Sequence, residues 1–282
     1  MQLFQALFPP GLFTADFMVN AWIAGTAVAV LSACVGFFVV LRGASFAAHA
    51  IPRASFAGAA GAVLAGGDTL VGLAIFSALS ALGIASLSSR RHEGQTTALV
   101  LMAALGLGSL FLALGNAYAP EVYALLFGQI VGISRPDVLG ILVLLVLALA
   151  ATAILYRPLL WSSVAPDVAE AKGVPRRRMD VLFLLLIALA ATAAVPVVGA
   201  LLSFSLMVGP AAAAGYFGRN PRQALALAVV IGVLSVWLSL LFAYDTGLPV
   251  GFFVAAVTAV FYGLGRLWAR LSELEGRERQ AA

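Results

Sequence analysis

The chain has 282 residues, of which 63% are hydrophobic and only 10% charged, and its mean hydropathy is +1.07. A soluble domain carries about 25% charged residues, so for most of this sequence the bilayer is the solvent. The formal charge of +4, from 16 Lys and Arg against 12 Asp and Glu, is unevenly spread along the chain. It therefore reports membrane sidedness and gives no reason to invoke nucleic-acid binding.

Residues 1–16 carry Pro9, Pro10 and Gly11 among several Phe and Leu and read as an external, interfacial lead-in. They lack a basic start, a short apolar core and a small-residue cleavage site, so no removable signal peptide is expected. Apolar stretches near 20 residues then recur at 17–41, 44–66, 68–88, 95–115, 137–156, 179–198, 200–217, 223–243 and 249–268. Each predicts a membrane-spanning helix. The predicted fold class is all-α: a polytopic membrane bundle of about nine transmembrane helices occupying 17–268. Within 116–136 the run Leu125-Leu126-Phe127-Gly128-Gln129-Ile130 is too short to cross, so residues 120–132 read as a re-entrant or interfacial helix at the outer mouth. Residues 269–282 are charged and read as a fraying tail.

An odd number of spans puts the termini on opposite sides. Of the 16 basic residues all but Arg135 and Arg53 fall at one set of span ends, including Arg42, Arg90, Arg91, Arg157, Lys172 and Arg176–Arg178. Asp16, Asp68, Glu121, Asp137 and Asp245 fall at the other. The excess of Lys and Arg marks the cytoplasmic side, which places the N-terminus outside and the C-terminal tail in the cytoplasm.

Between the fifth and sixth spans lies a polar island, Pro166-Asp167-Val168-Ala169-Glu170-Ala171-Lys172-Gly173-Val174-Pro175, followed by three arginines. It reads as a two-turn helix with both ends specified. Pro166 suits the first helical position, while Asp167 and Glu170 suit the positive end of the dipole and Lys172 the negative end. Gly173 accepts the left-handed conformation that ends a helix, and Pro175 cannot extend one. A short helix specified independently of its membrane-grade flanks is suited to touching a soluble partner; the plainer alternative is a helical connector.

No enzyme signature is present: there is no phosphate loop, no paired histidines on a helix and no cysteine cluster, and no cofactor is implied. Cys34, the single cysteine, lies in an apolar run and reads as a packed, inert thiol. Glycines inside spans, such as Gly58, Gly61 and Gly72, read as close helix packing.

The span 44–66 holds the candidate site. With Arg42 at the cytoplasmic edge and a rise of about 1.5 Å per residue, His49 is expected roughly 10 Å in and Arg53 roughly 16 Å in. The two are stacked at i, i+4, and Pro52 between them frees a backbone carbonyl. An arginine at mid-depth costs at least about 2.5–3.5 kcal/mol unless it faces a cavity or a partner. His49, Pro52 and Arg53 are therefore read as lining a translocation path; the alternative is a buried pair bonded to backbone carbonyls.

Three stretches carry a family resemblance. Gly36-Phe37-Phe38-Val39-Val40-Leu41-Arg42-Gly43-Ala44-Ser45-Phe46, the capped helix with its downstream span, and the run from Val197 to Ala214 that closes on Pro210-Ala211-Ala212 together resemble permease subunits of ABC importers for zinc, manganese and iron. The likeness runs in order from about Phe17 to Leu267. It implies a homodimeric permease, a separate cytoplasmic ATPase and an extracytoplasmic solute-binding protein. Residues 166–173 then become the coupling helix, with Asp167, Glu170, Ala171 and Gly173 at the ATPase contact. Where such permeases carry an Asp and, four residues on, a His, this chain has His49 and Arg53. A neutral His49 can still ligate a divalent ion, but Arg53 repels cations. Three accounts follow: a metal assisted by His49 alone, a metal carried as an anionic chelate, or another anion, with Asp180 or Asp245 as conceivable counter-charges. The sister family of siderophore and corrinoid permeases, a secondary transporter and a membrane enzyme are the competing readings. The second is weakened by the lack of a clear repeat and the third by the missing catalytic cluster.

Overall fold

The computed structural model describes residues 15–87, 92–115, 126–128 and 132–281. Most of the lead-in and most of the 120–132 segment therefore lie outside the described residues. The described chain is helical: α1 (Asp16–Arg42), α2 (Ser45–Ala65), α3 (Thr69–Leu87), α4 (Glu93–Gly115), α5 (Arg135–Val164), α6 (Pro166–Ala171), α7 (Arg176–Val198), α8 (Ser203–Phe217), α9 (Pro221–Thr246) and α10 (Val250–Ala281).

Seven of these, α1, α3, α4, α5, α7, α9 and α10, are long and apolar enough to cross a membrane. The remaining two expected spans are α2, which carries His49 and Arg53, and α8, whose 15 residues rise only about 22 Å. Two elements outrun their expected ends. Pro158 does not stop α5, which continues to Val164 and yields only where Pro166 opens α6. The C-terminal stretch read as fraying continues α10 as far as Ala281.

Side-chain contacts gather the helix ends onto two faces. On one, Asp16 pairs with Arg135 and the Asn20 amide donates to Ile133 O, joining the starts of α1 and α5. On the other, Arg42 at the end of α1 reaches Ser162 of α5 and Asp180 of α7, while Phe217 of α8 packs on Trp268 of α10. α6 and the three arginines Arg176–Arg178 belong to this second, basic face.

α1 and α7 are the interior helices, and the largest buried cluster is built on them, with Phe38, Leu31, Ile187 and Leu206 near its centre. Small residues set the spacing elsewhere. A Cβ on Gly58 would lie 2.0 Å from the Gly72 carbonyl oxygen, so α2 and α3 meet backbone to backbone. A Cβ on Gly36 would lie 1.8 Å from the Met207 carbonyl oxygen, which fixes α1 against α8 in the same way. The buried hydroxyls of Ser77 and Thr192 share a hydrogen bond of 2.9 Å that ties α3 to α7.

Candidate translocation site and coupling helix

The turn that delivers α2 is specified locally. Gly43 takes φ +66°, and the Gly43 and Ala44 amides donate back to Val40 O and Val39 O at 3.2 and 3.0 Å, a Schellman closure. The chain thus reverses at Gly43 instead of running on through Arg42. Measured from Ser45, His49 lies roughly 6 Å and Arg53 roughly 12 Å along α2, shallower than a count from Arg42 predicts.

Pro52 is buried inside an unbroken α2. The Ser55 hydroxyl donates to the Pro52 carbonyl at 2.7 Å, whereas the carbonyl that the proline leaves without its amide partner is that of Ala48, one turn earlier. His49 is half-buried, its ring edge-on to Phe204 of α8 with centroids 5.2 Å apart at 88°. Arg53 is half-buried as well, and its Nε is enclosed with no hydrogen-bond partner. An arginine held as a structural prop saturates its buried donors; this one leaves Nε unmatched.

Among the described residues no group of three His, Cys, Asp or Glu side chains is arranged to hold a metal ion. His49 therefore stands as a single imidazole facing a phenyl ring. Of the two conceivable counter-charges, Asp180 is paired with Arg42, and Asp245 is exposed near the end of α9.

The partner of His49, Phe204, lies in the Val197–Ala214 run, but nothing in the sequence pairs that run with His49. α7 ends at Val198, Gly199 takes φ +91°, and α8 restarts at Ser203. A Cβ on Gly199 would lie 2.4 Å from Leu126 O, and the Leu201 amide donates to that same oxygen at 3.1 Å. The described fragment Leu126-Phe127-Gly128 is thus packed onto the break that begins α8 and presents Phe204.

α6 forms as two turns fastened at both ends. Pro166 occupies its first position and Asp167 its first turn, and the Gly173 and Val174 amides donate to Glu170 O and Ala169 O, each at 3.0 Å. Gly173 takes φ +79°, the left-handed value that a side chain resists. Only Ala169 is buried; Asp167, Val168, Glu170, Ala171, Lys172 and Gly173 are exposed. The Lys172 ammonium sits 4.5 Å from the Trp161 ring centroid, so α6 is braced on α5 while its outer surface stays open.

Both roots of α6 meet at Arg42, to which the sequence alone assigns no contact with α6. Its guanidinium donates to the Ser162 and Ser163 hydroxyls at 2.9 and 3.3 Å, pairs with Asp180 and lies 4.9 Å from the Phe183 ring centroid. One side chain at the α1–α2 turn therefore holds the α5 stem that enters α6 and the α7 stem that leaves it.

Comparison with known proteins places this arrangement. The manganese transport system membrane protein MntC of Listeria innocua is 28% identical over 265 residues, covering 93% of this chain and 94% of that protein. The high-affinity zinc uptake system membrane protein ZnuB of Haemophilus influenzae is 25% identical over 248 residues, covering 86% and 91%. The structure of PsaBC from Streptococcus pneumoniae in complex with Fab superposes with a TM-score of 0.82 at 25% identity, covering 90% of this chain and 92% of that one. A family model, the ABC 3 transport family, matches residues 14–268. With these matches running through every helix described above, the chain belongs to the ABC 3 transport family and is a multi-pass permease subunit of the bacterial inner membrane.

Proposed function

We propose that this permease imports a transition-metal ion of the manganese or zinc class, free or chelated. Two copies would form the pathway, a separate cytoplasmic ATPase would drive it, and an extracytoplasmic binding protein would deliver the solute. The observation that carries this reading is the family match over 14–268, with relatives named for manganese and zinc transport aligned along the same length. α6 supports the ATPase contact: it is a short helix fixed from behind by Ala169 and open across Asp167, Glu170, Ala171 and Gly173. Counting α2 and α8 with the seven long apolar helices gives nine spans, and assigning the basic face to the cytoplasm then puts the N-terminus outside.

In this reading ATP binding closes the ATPase pair and displaces α6. Arg42 passes that displacement to the α1–α2 turn, and α2 carries His49, Pro52 and Arg53 between inward and outward access. Loaded binding protein must favour one state through contacts absent in the other, or ATP use and transport would not be linked. Arg53 favours one form of cargo within this class. Its unmatched Nε and fixed positive charge suit a metal carried in an anionic chelate better than a bare divalent ion.

The test is the metal content of a strain lacking this permease, grown across a chelator series, together with recovery of the tagged permease in complex with an ABC ATPase. Manganese or zinc should fall selectively and be restored by the wild-type chain. Unchanged metal content with no ATPase recovered would overturn the proposal.

A further inference from the structure

α1 forms the floor of a lateral groove walled by α5 and α9. Two cavities lie along it. The larger, about 750 Å³, is lined by Trp22, Thr26 and Val30 of α1 together with Leu142, Leu145 and Trp237. The smaller, about 380 Å³, is lined by Cys34 of α1, Thr152, Tyr156 and Arg157 of α5, and Leu225 of α9. Trp22, Thr26, Val30 and Cys34 follow one another at i, i+4, so both cavities sit on a single stripe of α1. Counted from Arg42, Cys34 lies about 12 Å and Val30 about 18 Å along α1, against roughly 15 Å of hydrocarbon per leaflet, so the smaller cavity and the Val30 end of the larger one are within reach of a lipid of the α6-side leaflet.

The two cavities differ in chemistry. The first is apolar apart from Thr26, whose hydroxyl is already taken up by the Trp22 carbonyl and the Trp237 indole. In the second, the buried hydroxyls of Thr152 and Tyr156 have no hydrogen-bond partner. Thr152 is only 5% exposed. Threonines elsewhere in these helices (Thr26, Thr192, Thr246 and Thr258) satisfy their hydroxyls on the carbonyl four residues back, and Thr152 does not. Thr152 and Tyr156 stand one turn apart on the same face of α5, and the Tyr156 ring is held edge-on to Phe38, centroids 5.8 Å apart. Arg157 follows directly, exposed at the rim on the basic half of the molecule.

We propose that this groove is a binding site for an anionic phospholipid of the leaflet on the α6 side. Its phosphate would lie on Arg157, its phosphate or ester oxygens would accept from Tyr156 and Thr152, and its acyl chains would run along α1 into the Val30 end of the apolar cavity. Two unmatched buried hydroxyl donors call for a ligand rich in acceptors, the guanidinium calls for a negative one, and the long apolar continuation calls for a tail. A soluble phosphate would meet the first two requirements and leave the apolar length of the groove empty.

The test is native mass spectrometry of the delipidated permease titrated with phosphatidylglycerol and, separately, phosphatidylcholine. Wild type should retain phosphatidylglycerol at least about fivefold over phosphatidylcholine. Arg157→Gln should bring the two to near parity, whereas Arg266→Gln, at an exposed site on α10, should leave the ratio unchanged. The pair Thr152→Val with Tyr156→Phe should reduce retention of both lipids severalfold, with no loss of thermal stability in lipid-free detergent, because these hydroxyls bond nothing there. If the double variant fails to fold, the contrast between Arg157→Gln and Arg266→Gln decides. Equal effects of the two arginine variants, no phosphatidylglycerol preference in wild type, or Leu145→Cys forming disulfide-linked dimers across the groove would each overturn the proposal; the last result would mean that a second copy occupies it.

Discussion

Replacing Arg53 with Ala separates a path residue from a structural prop. Arg53 Nε is enclosed without a partner, and an unmatched buried donor costs about 1–3 kcal/mol. The substitution removes that penalty, and the thermal stability of the purified permease should stay level or rise. Transport should respond in the opposite manner. A divalent ion passing about 6 Å from the guanidinium meets a repulsion of about 5–6 kcal/mol at an effective dielectric near 20, and about 1.4 kcal/mol if water fills the path. Removing it should therefore raise free-ion passage relative to chelate by at least about tenfold. Uptake of radioactive manganese or zinc, free and chelated, into cells matched for permease abundance measures the ratio. The double change His49→Asp with Arg53→His, which supplies a carboxylate and an imidazole one turn apart, should move preference further towards the bare ion. A folded Arg53→Ala permease that carries free and chelated metal in the parental ratio would refute the path assignment. A clear fall in its thermal stability would show Arg53 to be a prop.

Four further outcomes are expected. Glu170→Lys, or Gly173→Val at its φ of +79°, should weaken ATPase association at least about tenfold while membrane abundance, read by quantitative blotting, holds. Arg42→Ala should destabilise the permease by about 1–3 kcal/mol, between the values for exposed and buried pairs, because Arg42 is 11% exposed and Asp180 47% exposed; thermal unfolding in detergent measures it. Gly36→Ala should lower membrane abundance severalfold, since its Cβ would meet Met207 O at 1.8 Å, whereas Gly106→Ala enters open space and should change nothing. Cysteines at Asn220 and Asp245 should label from opposite sides of the membrane, the first from the cytoplasm, over a low background from buried Cys34; labelling from one side would break the odd span count.

What was legible in the sequence is what the solvent and the backbone dictate. Apolar runs of bilayer length located the long helices, because in lipid each segment must satisfy its own backbone. The ends of α6 were legible because proline and glycine there act through local φ and hydrogen bonding alone, and Gly173 has the conformation its position demands. The turn at Gly43 uses the same chemistry, yet its consequence for depth was missed, since a count from Arg42 carries the rise of α1 through a residue where the chain reverses. His49, Pro52 and Arg53 stood out because polarity in an apolar span is costly, but their surroundings did not. Phe204 reaches His49 only because Gly199 breaks the chain against Leu126, a contact between segments far apart in sequence.

The same limit explains Arg42. In one dimension it is one of many basic residues at one set of helix ends, and the charge rule treats all of them alike. In three dimensions it is bonded to both stems of α6 and sits at the turn that launches the helix bearing His49 and Arg53. A force applied at α6 can reach α2 through α7, which packs against both, or through α5, which meets the α1–α2 turn at the Ser162 and Ser163 contacts with Arg42. If coupling runs through this joint, Arg42→Ala should reduce binding-protein-stimulated ATP hydrolysis more than basal hydrolysis, and the exchange Arg42→Asp with Asp180→Arg should recover part of the stimulated rate. Equal loss of both rates, with no recovery on exchange, would assign Arg42 to stability alone.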